Sequence, residues 1–383
     1  MTDGVSPRIP FNRPGLGGNE FAYMRDAVDG GHTSLGGPFT ARVVEMLSEW
    51  QGAADVLLTT SCTDALEMAA LLLDVKPGDT VIVPSFTFVS SALAFVRAGA
   101  RLIFADIEPV TLGIDPDDVA RLMNDSVRAV VAVHYAGIGC DIDGLRSVLE
   151  AWPDAALVED NAQGLYGEYR GAPLGSFGRF STLSFHETKN FTCGEGGALM
   201  VNHSDDVDRA HVLLDKGTDR RAFMLGQVDK YSWRDIGSSF GLSDMLAAYL
   251  LAQLEERDRI LAQRRGVFDR YSELLSPVAD GEALSLPIVP PDRVPAYHLF
   301  YVLLADQSAR DRALAALASQ GIGATFHYVP LHSSDGGMRF SARPNACPVT
   351  DDVSSRLLRL PFYNDLSAQD MSRVVGALIS VLE

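Results

Sequence analysis

The feature that most constrains the fold of this chain is a regular alternation of short apolar runs with segments of helical length between residues 55 and 202. The runs are short and rich in β-branched residues, so each predicts a buried strand. Strands that alternate with helix-length segments predict a parallel sheet with helices on both faces. The predicted strands cover residues 56–58, 81–83, 101–104, 129–133, 156–158, 182–185 and 198–201. We therefore expect an α/β fold on a mainly parallel sheet of about seven strands.

The C-terminal third of the chain has a different pattern. Apolar residues recur at near-helical spacing over residues 242–275, which predicts one long helix with a kink near Gly266. The segments that follow predict, in order, a proline-rich loop, a strand and a helix, at residues 286–291, 298–304 and 309–319. We expect a large domain with an N-terminal arm at residues 1–265 and a smaller α+β domain at residues 266–383.

The charge of the chain argues against two classes of partner. The formal net charge is −18, whereas proteins that bind nucleic acids or anionic membranes need basic surface to displace counterions. We therefore expect no nucleic-acid and no membrane partner. No run approaches the roughly 18 apolar residues that span a bilayer, and the N-terminus lacks a signal pattern. These features predict a cytoplasmic protein.

The cysteines give no sign of a metal site. They are widely spaced, and they form neither a CxxC pair nor a metal-ligand cluster with histidine. Their positions are Cys62, Cys140, Cys193 and Cys347. We expect free thiols in a reducing compartment and no bound metal.

Lys189 and Asp160 are the candidates for chemistry. The chain has four lysines and 28 arginines, and only a lysine amine can lose its proton in a dry pocket and attack a carbonyl. Lys189 follows a predicted strand and is a candidate for Schiff-base chemistry; the alternative is a lysine that caps a strand end. Asp160 also ends a predicted strand, at the sheet edge where α/β proteins bind ligands. Its carboxylate is well placed to hold a cationic heterocycle.

Two strand-to-helix connections complete a candidate cofactor site. Residues 58–68 enter a helix through small hydroxyl residues, which predicts a phosphate site at the helix start, with an ordinary N-cap as the alternative. Residues 83–90 carry Phe86 and Phe88, either of which can lie against a planar ring or in the core. An anion cradle, an aromatic plate, a carboxylate and an amine at successive strand ends fit pyridoxal 5′-phosphate (PLP).

Four motifs carry a family resemblance. Residues 61–66, 159–163, 184–190 and 194–197, in this order, resemble the DegT/DnrJ/EryC1/StrS family of nucleotide-sugar aminotransferases. Residues 229–239, taken with the lysine motif, most resemble the dTDP-4-amino-4,6-dideoxygalactose transaminase branch. The resemblance implies the aspartate-aminotransferase fold (fold type I) and a homodimer with active sites at the subunit interface. It also implies L-glutamate as amino donor and a dTDP-4-oxo-6-deoxyhexose as acceptor, aminated at C4.

The resemblance implies a role for each residue around the cofactor. Lys189 is implied to form the Schiff base with PLP and to move the proton, and Asp160 to pair with the pyridine nitrogen. Gln163 is implied to lie near the ring hydroxyl, and Phe88 to stack on the ring. Phosphate contacts are implied for Cys62, Thr63 and Ser184.

The implied contacts farther from the ring depart more from the family pattern. Ser239 stands where many members have an asparagine that reaches the partner subunit's phosphate, and an arginine two positions later is missing. The implied contacts of the nucleotide sugar are Lys216, His327, Tyr328 and His332. For Lys216 and His332, a solvent-exposed side chain without a ligand is the alternative. The glycine-rich residues 30–38 resemble a mobile loop over the site, with a plain turn as the alternative.

Three other functions are alternatives to a sugar 4-aminotransferase. A sugar dehydratase of the same fold commonly has histidine in place of the lysine, so Lys189 argues against it. A non-catalytic regulatory protein has no need of Lys189 and Asp160 together. A nicotinamide-dependent oxidoreductase is not favoured, because no GxGxxG follows the first strand. An aminotransferase for another nucleotide-linked keto sugar remains the nearest alternative.

Overall fold

The computed structural model describes residues 8–280 and 283–382. The strands of this part are, in chain order, β1 (Asp55–Thr59), β2 (Thr80–Pro84), β3 (Arg101–Ala105), β4 (Val127–Val133), β5 (Ala156–Asp160), β6 (Glu168–Tyr169), β7 (Ala172–Pro173), β8 (Phe180–Ser184), β9 (Gly197–Val201), β10 (Leu284–Ser285), β11 (Arg293–Val294), β12 (Tyr301–Leu304) and β13 (Leu357–Arg359). Its α-helices are α1 (Glu20–Asp29), α2 (Pro38–Gln51), α3 (Cys62–Leu72), α4 (Ser90–Arg97), α5 (Pro116–Leu122), α6 (Ile142–Leu149), α7 (Val207–Leu214), α8 (Arg220–Met224), α9 (Asp244–Glu255), α10 (Arg257–Asp280), α11 (Gln307–Ser319), α12 (Asp335–Phe340), α13 (Pro348–Arg356) and α14 (Ala368–Leu382).

The central layer is a seven-stranded sheet in the order β1-β9-β8-β5-β4-β2-β3. Strand β9 is antiparallel to both of its neighbours, and the remaining neighbours pair in parallel. The seven predicted strands are therefore confirmed, with one of them reversed. Because only β9 runs the other way, the carboxyl ends of the other six strands meet at one edge of the sheet.

Helices cover both faces of this sheet, as the apolar runs predicted. Successive side chains of a strand point to opposite faces, and β2 shows the consequence. Val81 and Val83 lie in a core formed with α3 and α4, whereas Ile82 lies in a second core with α5 and α6. All three side chains are fully buried. Strands buried on both faces are typical of parallel sheets.

The predicted single long helix is wrong in one respect. The segment forms two helices, α9 and α10, and the break falls at Glu256 rather than near Gly266. Gly266 lies inside unbroken α10 with nothing crowding it. A glycine costs a helix only about 1 kcal/mol, and burial of the following Val267, Phe268 and Tyr271 outweighs that cost.

The C-terminal part forms a separate core of its own around the three-stranded sheet β10-β12-β13, with α11 and α14 packed on it. The N-terminal arm joins it, since the N–H of Ile9 donates to the carbonyl of Gly321 (3.0 Å) and Ile9 is buried. The domain boundary at 265/266 remains a prediction; the structure places that point inside α10.

Two further features bear on the expectations from composition. The four cysteines are free thiols, as predicted, and three of them are buried. No helix in the described part of the chain is both long and apolar enough to cross a membrane.

The glycine-rich residues 30–37 form the turn between α1 and α2, and the N–H of Asp244 donates to the carbonyl of Ser34 (3.1 Å).

Candidate active site

A cavity of about 420 Å³ opens at the edge where the strand ends meet, between them and the C-terminal part of the chain. Most of the residues predicted to contact cofactor or substrate line it, namely Cys62, Thr63, Phe88, Asp160, Gln163, Ser184, Lys189, His327 and Tyr328. The structure therefore brings both candidate catalytic side chains and most of the predicted ligands to one place. The parallel sheet accounts for this, because it gathers chain segments that are distant in sequence at one edge.

The start of α3 forms one end of the cavity. Ser61 caps this helix, and its Oγ accepts a hydrogen bond from the N–H of Asp64 (3.0 Å). The N–H groups of Cys62 and Thr63 belong to the first turn, where a helix offers no partner of its own. Thr63 Oγ1 also donates to Ser90 Oγ (2.9 Å). The N-cap and the predicted phosphate cradle are thus both present in this turn, through different residues.

Cys62 offers the site its backbone rather than a thiolate. Burial raises the pKa of the Cys62 thiol, and Sγ donates to Thr182 Oγ1 (3.4 Å). The opposite side of this turn is Gly197, where an added Cβ would stand 2.4 Å from the backbone nitrogen of Cys62. Only glycine allows β9 to approach the helix start so closely.

Asp160 ends β5 with its carboxylate in the cavity, and only 6% of the residue is exposed. Oδ2 accepts a hydrogen bond from Ser91 Oγ (2.6 Å), and Oδ1 accepts one from the N–H of Ala162 (3.2 Å). These two bonds fix the orientation of the carboxylate. An ionised carboxylate has further lone pairs, so Asp160 can still accept from a ligand.

Lys189 lies in the turn that follows β8, where its N–H donates to the carbonyl of His186 (2.9 Å). Burial lowers the pKa of the Lys189 ammonium, and this effect outweighs the opposing negative charge of Asp160. A lowered pKa increases the fraction of neutral amine at neutral pH. Neutral amine is the form that can act as a nucleophile or accept a proton.

The two predicted aromatic residues have different roles. Phe86 is buried and packs edge-on against Tyr328, with ring centres 5.3 Å apart, so the core alternative holds for it. Phe88 lines the cavity with 61% of the residue exposed. Its ring is therefore free to lie against a planar ligand.

Opposite the strand ends, Gln163 and two C-terminal aromatic residues form a connected wall. Gln163 Nε2 donates to the Tyr328 hydroxyl (3.0 Å), and Gln163 Oε1 accepts from the N–H of Ala136 (2.7 Å). The His327 ring stacks on Tyr328 at 3.9 Å and 14°. Burial and the Arg359 guanidinium lower the pKa of His327 to about 2, so its ring is neutral.

Arg359 lines the same cavity, and sequence analysis missed it. It ends β13, and its Nη1 donates to His327 Nε2 (2.6 Å). The available signal was a charged residue inside the apolar run 357–362, where a solvent-facing role is unexpected. Phe11, Asn12 and His298 also line the cavity and were not predicted.

Ser239 and Lys216 lie together outside the cavity of their own chain. Asp215 pairs with Ser239 in an antiparallel bridge, and the N–H of Lys216 donates to the carbonyl of Ser238 (2.9 Å). The Lys216 side chain is 60% exposed and pairs with Asp215, with Nζ 2.8 Å from Oδ1. A role for either residue at a cofactor or substrate stays a prediction.

His332 does not line the cavity of its own chain, and its predicted contact with the nucleotide sugar stays a prediction. The N–H of Leu331 donates to the Ser85 carbonyl (3.0 Å), which fastens this segment to the end of β2. The His332 ring then turns away, with Nδ1 2.7 Å from Ser85 Oγ and Nε2 3.6 Å from Asp351 Oδ1. The side chain is 13% exposed, so the alternative of a solvent-exposed side chain does not hold for His332.

These residues fit PLP in charge and in chemistry. The start of α3 offers free N–H groups and a hydroxyl to a phosphate, and the Asp160 carboxylate suits a protonated pyridine nitrogen. Phe88 offers an exposed ring face, and Lys189 offers an amine. The anion-binding end, the carboxylate and the amine all line one cavity, as a ligand with a phosphate, a cationic ring and an aldehyde requires.

Comparisons with known proteins identify a family and a fold for this chain. A model of the DegT/DnrJ/EryC1/StrS aminotransferase family matches residues 14–379. The aminotransferase TlmJ from Streptoalloteichus hindustanus is 28% identical with a TM-score of 0.90, covering 98% of this chain and 99% of its own. DesV from S. venezuelae, solved in complex with a ketimine intermediate, is 28% identical with a TM-score of 0.88, covering 99% of each chain. A Streptococcus pneumoniae protein in its PLP form is 24% identical with a TM-score of 0.89, covering 98% of this chain and 99% of its own; it shows the fold alone.

These matches confirm the expected aspartate-aminotransferase fold (fold type I), since they cover nearly the whole chain. The enzyme class follows as well: this is a PLP-dependent transaminase, and its cavity has the residues that the cofactor needs. The sequence, the fold and the site lead to one conclusion. The chain belongs to the DegT/DnrJ/EryC1/StrS aminotransferase family.

Proposed function

We propose that the enzyme transfers the amino group of L-glutamate to C4 of a nucleotide-linked keto sugar. The acceptor we propose is dTDP-4-oxo-6-deoxy-D-glucose, which gives a dTDP-4-amino-4,6-dideoxyhexose. The observation that carries a transaminase reaction is the meeting of Lys189 and Asp160 in one cavity. The choice of sugar is supported by the resemblance of residues 229–239 to the dTDP-4-amino-4,6-dideoxygalactose transaminase branch.

The roles of the side chains follow from their surroundings. Bound PLP supplies an electron sink, which stabilises the negative charge left on the substrate carbon when its C–H bond breaks. Asp160, held by Ser91 and by the N–H of Ala162, would keep the proton on the pyridine nitrogen. Neutral Lys189 would accept the proton from the α-carbon of glutamate and pass it to the cofactor carbon. In the second half-reaction, Lys189 would take that proton back and deliver it to C4 of the sugar.

We also propose a homodimer with shared active sites. Segment 219–236 exposes several large apolar side chains, Phe223, Met224, Leu225, Tyr231, Trp233 and Ile236. Exposed apolar side chains that lie together mark interaction surfaces, and Ser239 and Lys216 lie beside this segment. Light scattering of Trp233→Arg should show loss of the dimer together with loss of activity. A fully active monomer would contradict shared sites.

The direct test of the function is transfer of a label. Enzyme incubated with ¹⁵N-glutamate and dTDP-4-oxo-6-deoxy-D-glucose should give 2-oxoglutarate and a sugar nucleotide with ¹⁵N on C4, read by mass spectrometry and NMR. Lys189→Ala serves as the inactive control. Deamination of glutamate without label on this sugar would reject the proposed acceptor while retaining the transaminase.

A further inference from the structure

His298 offers the cavity a buried hydrogen-bond acceptor on the side opposite the strand ends. It lines the cavity with only 5% of the residue exposed, and together with Lys189 it lines a narrow pocket of about 10 Å³ beside it. Within residues 8–280 and 283–382, no group donates a hydrogen bond to its Nε2. A buried polar atom that the protein leaves unpaired is costly unless a ligand pairs with it. Nε2 of His298 is therefore available to a ligand close to Lys189.

The tautomer of His298 follows from its bond to Asn190. Asn190 Nδ2 donates to the carbonyl of Ala296 (2.6 Å), and because a carbonyl can only accept, this bond fixes the orientation of the Asn190 amide. Its Oδ1 then faces His298 Nδ1 at 3.0 Å, and this oxygen can also only accept. The proton of the neutral ring therefore lies on Nδ1, which leaves Nε2 as an acceptor.

The surroundings of His298 keep its ring neutral and fixed. Burial lowers the pKa of His298 well below its usual value, and the charge of Lys189 adds to this effect. Arg264 and Arg359 act in the same direction, and in the described part of the chain no carboxylate pairs with either of them. The carbonyl of His298 accepts from Arg264 Nη2 (2.5 Å), and its N–H donates to the carbonyl of Ala136 (3.3 Å). A ring that does not take a second proton keeps Nε2 as an acceptor.

Two neighbouring acceptors are already engaged within the protein. His327 Nε2 accepts from Arg359 Nη1 (2.6 Å). Gln163 Oε1 accepts from the N–H of Ala136 (2.7 Å). A ligand group that pairs with His298 must donate a hydrogen bond, and the carboxylates of L-glutamate can only accept, whereas each hydroxyl of a sugar can donate. The acceptor therefore suits the keto sugar better than the amino acid.

We propose that His298 Nε2 binds the C3 hydroxyl of the keto sugar and thereby selects sugars that carry it. This inference rests on the proposed function and names a substrate contact of the same site. C3 is bonded to C4, the carbon that receives a proton from Lys189, so the group that binds its hydroxyl must lie close to Lys189. In a 4-oxo-6-deoxyhexose, C3 is the only neighbour of C4 with a hydroxyl, because C5 carries the methyl group and the ring oxygen. His298 and Lys189 line the same narrow pocket, as this contact requires.

The test compares dTDP-4-oxo-6-deoxy-D-glucose with its 3-deoxy analogue, which differs only in lacking the C3 hydroxyl. The holoenzyme is treated with L-glutamate, freed of excess donor and mixed with each sugar, and the return of the visible band of the bound cofactor gives the rate of the second half-reaction. Wild-type enzyme should prefer the sugar with the hydroxyl, because the analogue leaves a buried acceptor unpaired. In His298→Phe this preference should fall by roughly 10- to 100-fold.

Two further variants make the result specific. His298→Gln brings an amide oxygen to about the reach of Nε2, so it should keep part of the preference. His203→Phe is the matched control, since His203 is exposed and does not line the cavity. It should leave the preference unchanged. The rate of the first half-reaction with L-glutamate should stay near the wild-type value in all three variants, because glutamate does not use this acceptor.

Nitrogen NMR gives a readout that a purely structural role would not change. In holoenzyme labelled with ¹⁵N-histidine, the signals that are missing from His298→Gln identify His298. They should show a proton on Nδ1 and none on Nε2. Without an amino donor no turnover occurs, so the sugars can be added as ligands. The Nε2 signal should shift with dTDP-4-oxo-6-deoxy-D-glucose and stay in place with the 3-deoxy analogue.

Two outcomes would overturn the assignment while leaving the proposed function intact. Unchanged preference in a folded, active His298→Phe enzyme would show that another group binds the C3 hydroxyl. Equal slowing with both sugars and with L-glutamate would make His298 a residue that positions Lys189 instead. A wild-type enzyme that responds to glutamate but to neither sugar would reject the proposed acceptor itself, and the C3 contact with it.

Discussion

The two sides of the cavity are built in different ways. The strand-end wall consists of residues at or just after the carboxyl ends of sheet strands, namely Cys62, Phe88, Asp160, Ser184 and Lys189. The C-terminal wall consists of His298, His327, Tyr328 and Arg359. Local structure places the first wall: Ser61 caps α3, and the N–H of Ala162 donates to the Asp160 carboxylate. Long-range contacts place the second, such as Tyr135 with His327 and Gln163 with Tyr328.

This difference separates chemistry from recognition. The strand-end wall has the groups that act on any amino substrate, an amine, a carboxylate and an anion cradle. The C-terminal wall has aromatic rings and a cation that lacks a carboxylate, which suit the choice of substrate. We therefore expect substitutions in the first wall to slow the chemical step, and substitutions in the second to change which donor or acceptor is accepted.

Lys189→Ala should give the largest effect. Removing the amine removes both the nucleophile and the group that moves the proton, so turnover should fall by about 10⁴-fold or more. Steady-state assay of label transfer measures it. Lys76→Ala, at an exposed lysine, is the control and should be unaffected. Near-normal turnover of Lys189→Ala would remove the distinction between the two walls.

Asp160→Asn should come next. The amide keeps the size of the side chain and can still accept from Ser91, but it cannot balance a protonated pyridine nitrogen. Proton transfer in both half-reactions should slow by about 10²- to 10³-fold. Stopped-flow absorbance with glutamate measures the first half-reaction, and retained cofactor uptake is the control. Wild-type rates in both directions would show that this carboxylate does not support the electron sink.

The pH dependence of the proton-transfer rate should report on the Lys189 amine of the strand-end wall in the unaltered enzyme. The Lys189 pKa is lowered by burial, so the neutral amine is present above that lowered pKa and is lost as the pH falls through it. Below it, the proton-transfer rate should fall about tenfold per pH unit. Single-turnover rates against pH measure this limb. A rate that stayed flat toward acid pH would show that Lys189 is not the proton acceptor.

Phe88→Ala should give the smallest effect. Its exposed ring contributes stacking worth about 0.5–1.5 kcal/mol, so cofactor affinity should fall by about two- to tenfold while the rate of the loaded enzyme changes little. Equilibrium titration with PLP measures the affinity. Phe86→Leu is a contrast rather than a control, because Phe86 lies in the core and its loss should lower thermal stability instead.

The sequence predicted the strand-end wall because each of its residues follows an element that is visible locally. The seven strands read as apolar runs, and parallel pairing then places Asp160 and Lys189 at a common edge. Reversal of β9 was not predicted, since strand direction depends on the whole topology. A helix break near Gly266 is wrong because burial of Val267, Phe268 and Tyr271 continues the helix through the glycine.

The C-terminal wall was predicted less well for a physical reason. Its side chains are oriented by partners more than a hundred residues away, and no local pattern reports such contacts. His332 turns toward Ser85 at the end of β2 rather than into the cavity. Arg359 looks like an ordinary charged residue until the fold places it beside His327, without a carboxylate. Family resemblance identified His327 and Tyr328, but it did not identify Arg359, which lies between His327 and Phe11 of the N-terminal arm.

The most direct test of the account is an absorbance titration of the purified holoenzyme, first with L-glutamate and then with dTDP-4-oxo-6-deoxy-D-glucose. We expect glutamate to remove the visible band of the bound cofactor and the keto sugar to restore it, in a cycle that Lys189→Ala cannot complete. A band that glutamate removes but this sugar does not restore would reject the proposed acceptor. Protein that shows no such band after addition of PLP would show that this cavity is not a transaminase active site.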